Sequence, residues 1–364
     1  MRRFGRGRVA RRIGVGALLA AAVSLASGAA YEAIARRGAA TAFPPPGKLA
    51  KIGGRRIHID CRGDGSPTVI LEAGADTSGS TLWYSVMQAV SQTTRVCSYD
   101  RAGLMWSDSG PRPRDGEAIV ADLQKALTAM NEHGPYVMVG ASLGGPLVML
   151  YTKHHPADVA GVVLVDSAHP DQITRLEEAS GVKDDPAPFL FRVIASLAWT
   201  GLPRLLLPVP ELPELPNRVA AEVDAYQASS LRAALDEAVA MPAIFQQAGT
   251  FRDLGSRPLA VLSHGKQWQD YTADQQAVAG MGREQFERHE AAWAKMQDEL
   301  TAWSRDSTHQ ILRDSSHVVQ LERPNAVIAA ITEVVGKVRD ERNGSDPVCA
   351  SSGLAVVPRN RLCL

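Results

Sequence analysis

The sequence predicts an α/β fold: a mostly parallel sheet of eight strands, helices on both faces, and a helical insertion between two of the strands. Three observations predict it. Short runs rich in Val, Ile and Leu alternate with amphipathic runs between residues 48 and 339, the pattern of parallel strands joined by crossover helices. Two strand-like runs joined by Gly53-Gly54 open the series, as a hairpin does. The sequence Gly140-Ala141-Ser142-Leu143-Gly144 then lies between a strand and a helix.

The elements follow in chain order. Arg2, Arg3, Arg6, Arg8, Arg11 and Arg12 crowd the N-terminus ahead of an apolar stretch over residues 13–35. About 20 apolar residues can span a bilayer. The arginines would stay in the cytoplasm and the remainder would be exported. The length of the apolar run favours an uncleaved anchor over a signal peptide, although Ser27-Gly28-Ala29 leaves cleavage and secretion open. Residues 1–43 are thus a basic segment with an anchor or signal. Pro44-Pro45-Pro46-Gly47 reads as a stiff linker to the domain.

Strands are expected at 48–52, 56–61, 68–72, 95–99, 136–140, 161–165, 258–263 and 309–312. Helices are expected at 81–91, 116–132, 143–154, 283–304 and 323–339. Residues 44–170 and 257–340 form the core, and 341–364 an irregular tail. Between the two core segments, residues 171–256 carry helical patterns and the prolines Pro203, Pro208, Pro210, Pro213 and Pro216, but no strong strand. This insertion is expected to be a helical lid. Phe189, Leu190, Phe191, Ile194, Leu197, Trp199, Leu202, Leu205, Leu206 and Leu207 would give it helix core and a greasy inner face.

The chain has 364 residues, 45% of them hydrophobic, enough for one large domain with an insertion or for two small ones. Its 39 basic and 39 acidic side chains leave no net charge, which argues against nucleic acid as a partner. Four cysteines suit an oxidising compartment. No Cys/His cluster has zinc spacing, so no metal is expected.

Gly-x-Ser-x-Gly is weak alone and strong between a strand and a helix. The turn there is so tight that its flanking residues must be small, and it lifts Ser142 above the sheet edge at a helix N-terminus. A serine hydroxyl needs a general base. His317 follows the last strand through Arg313-Asp314-Ser315-Ser316, on the same sheet edge as Ser142. His154 and His155 close a helix, His58 lies within a strand, and His309 starts one at the opposite edge. The base needs a carboxylate partner. Asp166, after strand 161–165, and Asp270, after strand 258–263, both give the chain order Ser, Asp, His. The oxyanion donors would be the N–H of Leu143 and, from the loop Glu72-Ala73-Gly74-Ala75-Asp76, that of Ala75.

Several runs carry a family likeness: Phe43-Pro44-Pro45-Pro46-Gly47, Gly53-Gly54-Arg55-Arg56-Ile57-His58, Tyr99-Asp100-Arg101-Ala102-Gly103, Gly134-Pro135-Tyr136, Val163-Leu164-Val165-Asp166, Ser316-His317-Val318-Val319-Gln320-Leu321, and the Ser142 turn. With them the chain, from Pro44 to about Lys337, resembles the α/β-hydrolase superfamily, and within it a membrane-anchored or exported bacterial esterase-like group. The resemblance implies Ser142 and His317 as nucleophile and base. Two departures stand out. Ala141 replaces the His that precedes the nucleophile in most relatives. In Gly265-Lys266-Gln267-Trp268, Trp268 holds the place where many relatives carry the acid, which favours Asp166 over Asp270. In this fold the second and fourth strands are neighbours, so a Cys61–Cys97 disulfide is expected, with a second joining Cys349 and Cys363.

These residues imply carboxylic-ester hydrolysis through an acyl-enzyme, without a cofactor. The partners would be a small-molecule ester, lipid-like esters included, and a membrane through the N-terminal helix. An aminopeptidase or acyltransferase of the same fold, or a non-catalytic binding protein that kept it, are the rival readings. Haloalkane dehalogenase and epoxide hydrolase are disfavoured, because those enzymes use Asp where this chain has Ser142.

Overall fold

The computed structural model describes residues 4–183, 185–207, 212–278 and 280–344. Helix α1 (Phe4–Ala42) leads into strands β1 (Lys48–Ile52), β2 (Arg55–Arg62) and β3 (Thr68–Glu72). Then come α2 (Tyr84–Val90), β4 (Val96–Tyr99), α3 (Gly116–Ala129), β5 (Tyr136–Ala141), α4 (Gly144–His154) and β6 (Val159–Val165). Four helices are inserted next: α5 (Gln172–Ser180), α6 (Phe189–Ser196), α7 (Leu202–Leu206) and α8 (Asn217–Ala248). The chain finishes with β7 (Leu259–His264), α9 (Ala273–Val278), α10 (Arg283–Thr301), β8 (Ser307–Leu312), α11 (Val319–Glu322) and α12 (Pro324–Gly344).

The eight strands form one sheet in the order β1-β2-β4-β3-β5-β6-β7-β8. Only the β1–β2 and β2–β4 pairs are antiparallel. Side chains alternate across the sheet with period two. Tyr136 and Met138 of β5 pack toward α3, α4 and α10 with Leu123, Leu127, Tyr151 and Leu300. Val137, Val139 and Ala141 pack the other way, toward α2 and α12 with Val86, Ile331 and Val334. Because both faces are covered, the central strands are buried almost throughout. Crossovers between parallel strands place their loops at the carboxyl edge, and there the site lies.

Several boundaries differ from expectation for local reasons. The first turn of the helix expected at 81–91 is a 3-10 turn, Gly79–Trp83. Carboxylates hold it: Asp76 Oδ1 accepts the N–H groups of Ser78 and Gly79, and Asp100 Oδ1 accepts that of Ser80. Pro324 starts α12 as a fresh helix after α11, since proline fits a first helical turn but cannot continue one. Strand β8 begins two residues early, so His309 lies inside it rather than at its start, bonded to Ser263 Oγ at 2.7 Å.

Cys61 and Cys97 face each other across β2 and β4 and are joined by a disulfide. The expected Cys349–Cys363 bond lies outside the described residues.

Two expectations are corrected. The Pro44-Pro45-Pro46-Gly47 run does not hold α1 away from the domain. Instead α1 lies against it: Glu32 pairs with Arg204 at 2.9 Å, and Ala39 packs with Met105, Trp106 and Tyr226. The Phe43 carbonyl just past the helix accepts Trp106 Nε1–H and Tyr226 O–H. Nor do the apolar residues of the insertion all face inward. Phe191, Ile194 and Leu207 pack on Leu231 and Leu235 of α8, whereas Phe189, Leu190, Trp199, Leu202, Leu205 and Leu206 are exposed. Among the described residues one helix segment, Leu18–Ala42, is long and apolar enough to cross a membrane.

Candidate active site

Ser142 occupies the turn between β5 and α4 with φ +50°, a left-handed conformation that a side-chain-bearing residue adopts only at a cost of about 1–3 kcal/mol. Its neighbours make the turn feasible. A Cβ on Gly140 would stand 2.4 Å from the Gly144 carbonyl oxygen, and one on Gly144 would stand 2.5 Å from that of Glu72. Each is closer than real atoms approach, so small residues here are obligatory.

His317 lies in the loop after β8. Its Nε2 is 2.9 Å from Ser142 Oγ, and its Nδ1 is 2.5 Å from Asp166 Oδ2. Asp166 follows β6 directly, also with positive φ, +43°, and its N–H donates to the Leu262 carbonyl of β7. The carboxylate is fully buried, while the His317 side chain is 47% exposed, an imidazole open to solvent on a sealed carboxylate. Asp270 is elsewhere: it caps a short turn, accepting the Gln267 N–H at 2.7 Å, and is exposed.

Asp166 also accepts the Trp293 Nε1–H and the backbone N–H of His264 on Oδ1, and contacts His264 Nδ1 at 2.6 Å through Oδ2. The Nε2 of His264 reaches Glu290 Oε2, again at 2.6 Å. Burial alone would raise the Asp166 carboxyl, but bonds from the two histidines outweigh it and hold that carboxyl well below the usual range. Burial alone would lower His264; Asp166 and Glu290 outweigh it and push its pKa up to about 10. Charges therefore alternate along the row Glu290, His264, Asp166. When His317 gains a proton, its imidazolium extends that alternation. Sequence reasoning missed His264, Glu290 and Trp293. The available signal was His264 at the carboxyl end of an expected strand, and Glu290 and Trp293 three apart on one helix face.

This row has a pH consequence. A raised histidine pKa contributes stability that is fully present below the unfolded value near 6.5 and is lost as pH rises through about 10. Glu290→Gln removes one of the two carboxylates, so the loss should move down by roughly 1–3 pH units. Melting temperatures between pH 6 and 10 should show the variant losing stability at lower pH than the wild type. Parallel curves would contradict that reading.

The loop after β3 lies against Ser142: a Cβ on Gly74 would stand 3.2 Å from Ser142 Cβ. Among the described residues, neither Leu143 nor Ala75 spends its backbone N–H on a protein acceptor. Arg101 fixes this loop. Its Nη1 donates to Ala73 O and Glu72 Oε1, its Nη2 to Gly74 O, and Nε with Nη2 grips Glu237 of α8. All three charged side chains are buried. Burial opposes charge on Arg101, but Glu237 and Glu72 outweigh it and keep the guanidinium cationic. Arg101→Met would leave two carboxylates buried without their cation, a loss of about 3–5 kcal/mol. Urea unfolding should register it; a change within about 0.5 kcal/mol, typical of a surface site, would contradict it.

Two groups of side chains have metal-ligand proximity among the described residues. The sulfurs of Cys61 and Cys97, near Glu132, are spent on each other. Asp166, His264 and His317 offer ligand atoms within 4.8 Å of one another, but those atoms already share protons in the row described above. Trp268, Tyr271, Phe286 and Ser316, the residue before His317, line a cavity of about 400 Å³. Trp268 is thus an aromatic wall of that cavity.

Residues 67–208 match the family model described as alpha/beta hydrolase fold. Over 117 residues the chain is 36% identical to efuK of Hormonema carpetanum, named a probable transporter, covering 31% of this chain and 17% of that protein. Over 122 residues it is 31% identical to the uncharacterized YqjL of Bacillus subtilis strain 168, covering 33% and 48%. The chain thus spans less than half the length of these relatives. The solved enol-lactonase of Burkholderia xenovorans LB400 superposes with a TM-score of 0.54 at 16% identity, covering 79% of this chain and all of that one, 100%. The meta-cleavage product hydrolase of Pseudomonas fluorescens IP01 gives 0.54 at 14%, covering 80% and 98%. With the matched segment, the sheet order and the superpositions in agreement, the chain has the α/β-hydrolase fold.

Proposed function

We propose that this protein is a serine hydrolase that cleaves carboxylic esters through an acyl-enzyme. The observation that carries the reading is the unbroken line from Ser142 Oγ through His317 to the buried Asp166, at 2.9 and 2.5 Å. His317 Nε2 takes the hydroxyl proton as Ser142 Oγ bonds to the ester carbonyl carbon. The oxygen left with a full negative charge is held by the Leu143 and Ala75 N–H groups at the start of α4 and in the loop after β3. Asp166 holds the imidazole tautomer and stabilises the imidazolium. As the carbonyl re-forms, the ester C–O bond breaks and the leaving alkoxide takes the proton from His317. Water then attacks the acyl-enzyme, gives its proton to His317, and Ser142 Oγ recovers it as the acid departs. The chemistry needs no cofactor.

The cavity walled by Trp268, Tyr271 and Phe286, which reaches Ser316 next to His317 in the chain, supports an apolar part of the ester lying there. The insertion over residues 171–256 acts as a lid whose long helix α8 meets the site: its Ile244 and Phe245 pack with Leu143. Helix α1 anchors the domain outside the cytoplasm. A series of p-nitrophenyl esters of rising chain length is the test. Turnover with KM falling as the chain lengthens supports the reading; no turnover of any member overturns it.

A further inference from the structure

The outward face of α6, α7 and the turn between them is the most apolar exposed surface of the domain. Phe189 is 80% exposed and Leu206 75%, with Leu190, Trp199, Leu202 and Leu205 also open. Scattered apolar residues on a surface are ordinary, whereas so many within one short segment are not. Their orientation is fixed from behind, since Phe191, Ile194 and Leu207 pack on α8.

Helix α1 meets the segment that carries this face. A Cβ on Gly28 would stand 2.3 Å from the Thr200 carbonyl oxygen, and one on Gly201 would stand 2.7 Å from the Tyr31 ring. Glu32 is bonded to Arg204 of α7. The segment is therefore held in register with residues 28–32 of α1. At about 1.5 Å per residue, the charge-free run from Ile13 to Tyr31 spans roughly 28 Å, close to the ~30 Å hydrocarbon thickness. Glu32 and then Arg36 and Arg37 follow at once. Where α1 leaves the hydrocarbon is thus the level at which Thr200 and Gly201 touch it. The one charge just beyond, Glu32, is shielded by Arg204 and Arg36.

We propose that Phe189, Leu190, Trp199, Leu202, Leu205 and Leu206 form a second membrane contact, seated in the headgroup–acyl boundary of the leaflet from which α1 emerges. This rests on α1 being a membrane anchor. The face would sit about 5–10 Å deep, and Trp199 would lie where indole rings concentrate at bilayer interfaces. The bilayer contact would fix the domain's tilt, which α1 alone, a single rod, leaves free.

The test uses the full chain reconstituted into phosphatidylcholine–phosphatidylglycerol vesicles carrying acyl-brominated phosphatidylcholine. Retention after an alkaline carbonate wash reports α1 alone. Tryptophan quenching by the brominated lipid, compared between wild type and Trp199→Phe, reports the second contact; Trp83, Trp106, Trp293 and Trp303 are buried, and the half-buried Trp268 contributes equally to both proteins. The proposal expects retention of both proteins, and most of the lipid-dependent quenching absent from Trp199→Phe. A variant with Phe189, Leu190, Leu205 and Leu206 all changed to Ser should stay in the wash-resistant pellet and lose the quenching of Trp199. Retained protein with Trp199 unquenched, or cross-linking that finds this face against a second copy, overturns the proposal. Protein released by the wash overturns the anchor reading itself, and this proposal with it.

Discussion

Ser142→Ala is expected to lower kcat for ester hydrolysis by on the order of 10⁵- to 10⁶-fold while leaving the protein folded. In the proposed mechanism the hydroxyl is the atom that bonds to the acyl carbon, and nothing else there takes that part. Within the protein its Oγ contacts His317 Nε2, and the Ser142 backbone bonds involve its N–H and carbonyl instead. Alanine keeps the Cβ and the same left-handed φ of +50°, so turn strain changes little. Stability should stay within about 0.5 kcal/mol. Initial rates and thermal unfolding check both halves. Retention of more than a tenth of the wild-type rate would contradict Ser142 as nucleophile. Unfolding of the variant would require the rate to be compared with Ser142→Cys, which keeps a side-chain nucleophile.

Asp166→Asn is expected to lower kcat on the order of 10⁴-fold. An amide offers one acceptor oxygen and one donor NH2 where Asp166 offers two acceptors. Here those oxygens receive four contacts: His317 Nδ1 and His264 Nδ1 on Oδ2, and Trp293 Nε1 and the His264 N–H on Oδ1. Either amide orientation sets a donor against a donor. The imidazole then loses the tautomer that leaves Nε2 free to accept, and His264 loses one of its two counter-charges. The variant should therefore also be less stable, unlike Ser142→Ala. Asp270→Asn, at a capping carboxylate remote from this row, should cost less than about tenfold, since a surface cap is worth around 1 kcal/mol. The reverse order of effects would mean that the acid is misassigned.

How much was legible in the sequence depended on whether the signal was local. Strands β3 and β5 are runs of Val, Ile and Leu bounded by turn residues, and the pattern located them within a residue. The Ser142 turn was readable because its steric demand falls on adjacent glycines. Preferring Asp166 over Asp270 drew on chain order and on Trp268 standing where a carboxylate would otherwise be. The buried row His264–Glu290 and the Arg101–Glu72–Glu237 cluster were not readable. Their partners lie 26, 29 and 136 residues apart, and a charged residue in a strand or helix looks the same in sequence whether it faces water or a counter-ion. The insertion failed differently. It is apolar on two sides, so its pattern could not say which side packs; α8 took Phe191 and Ile194 and left Phe189 and Leu190 outside. Nor could Pro44-Pro45-Pro46 reveal that α1 folds back along the domain, because that contact is made by Glu32, Ala39 and Phe43 upstream of it.

The most direct measurement is active-site labelling of the full chain with a fluorophosphonate probe, followed by peptide mapping. Such probes phosphonylate a serine only when a base activates it and nearby donors hold the developing oxyanion. One adduct per chain is expected, on Ser142, forming far more slowly in Asp166→Asn and not at all in Ser142→Ala. An unlabelled wild-type protein, or an adduct on any other serine, would contradict the assignment of Ser142, His317 and Asp166 as a working hydrolytic site.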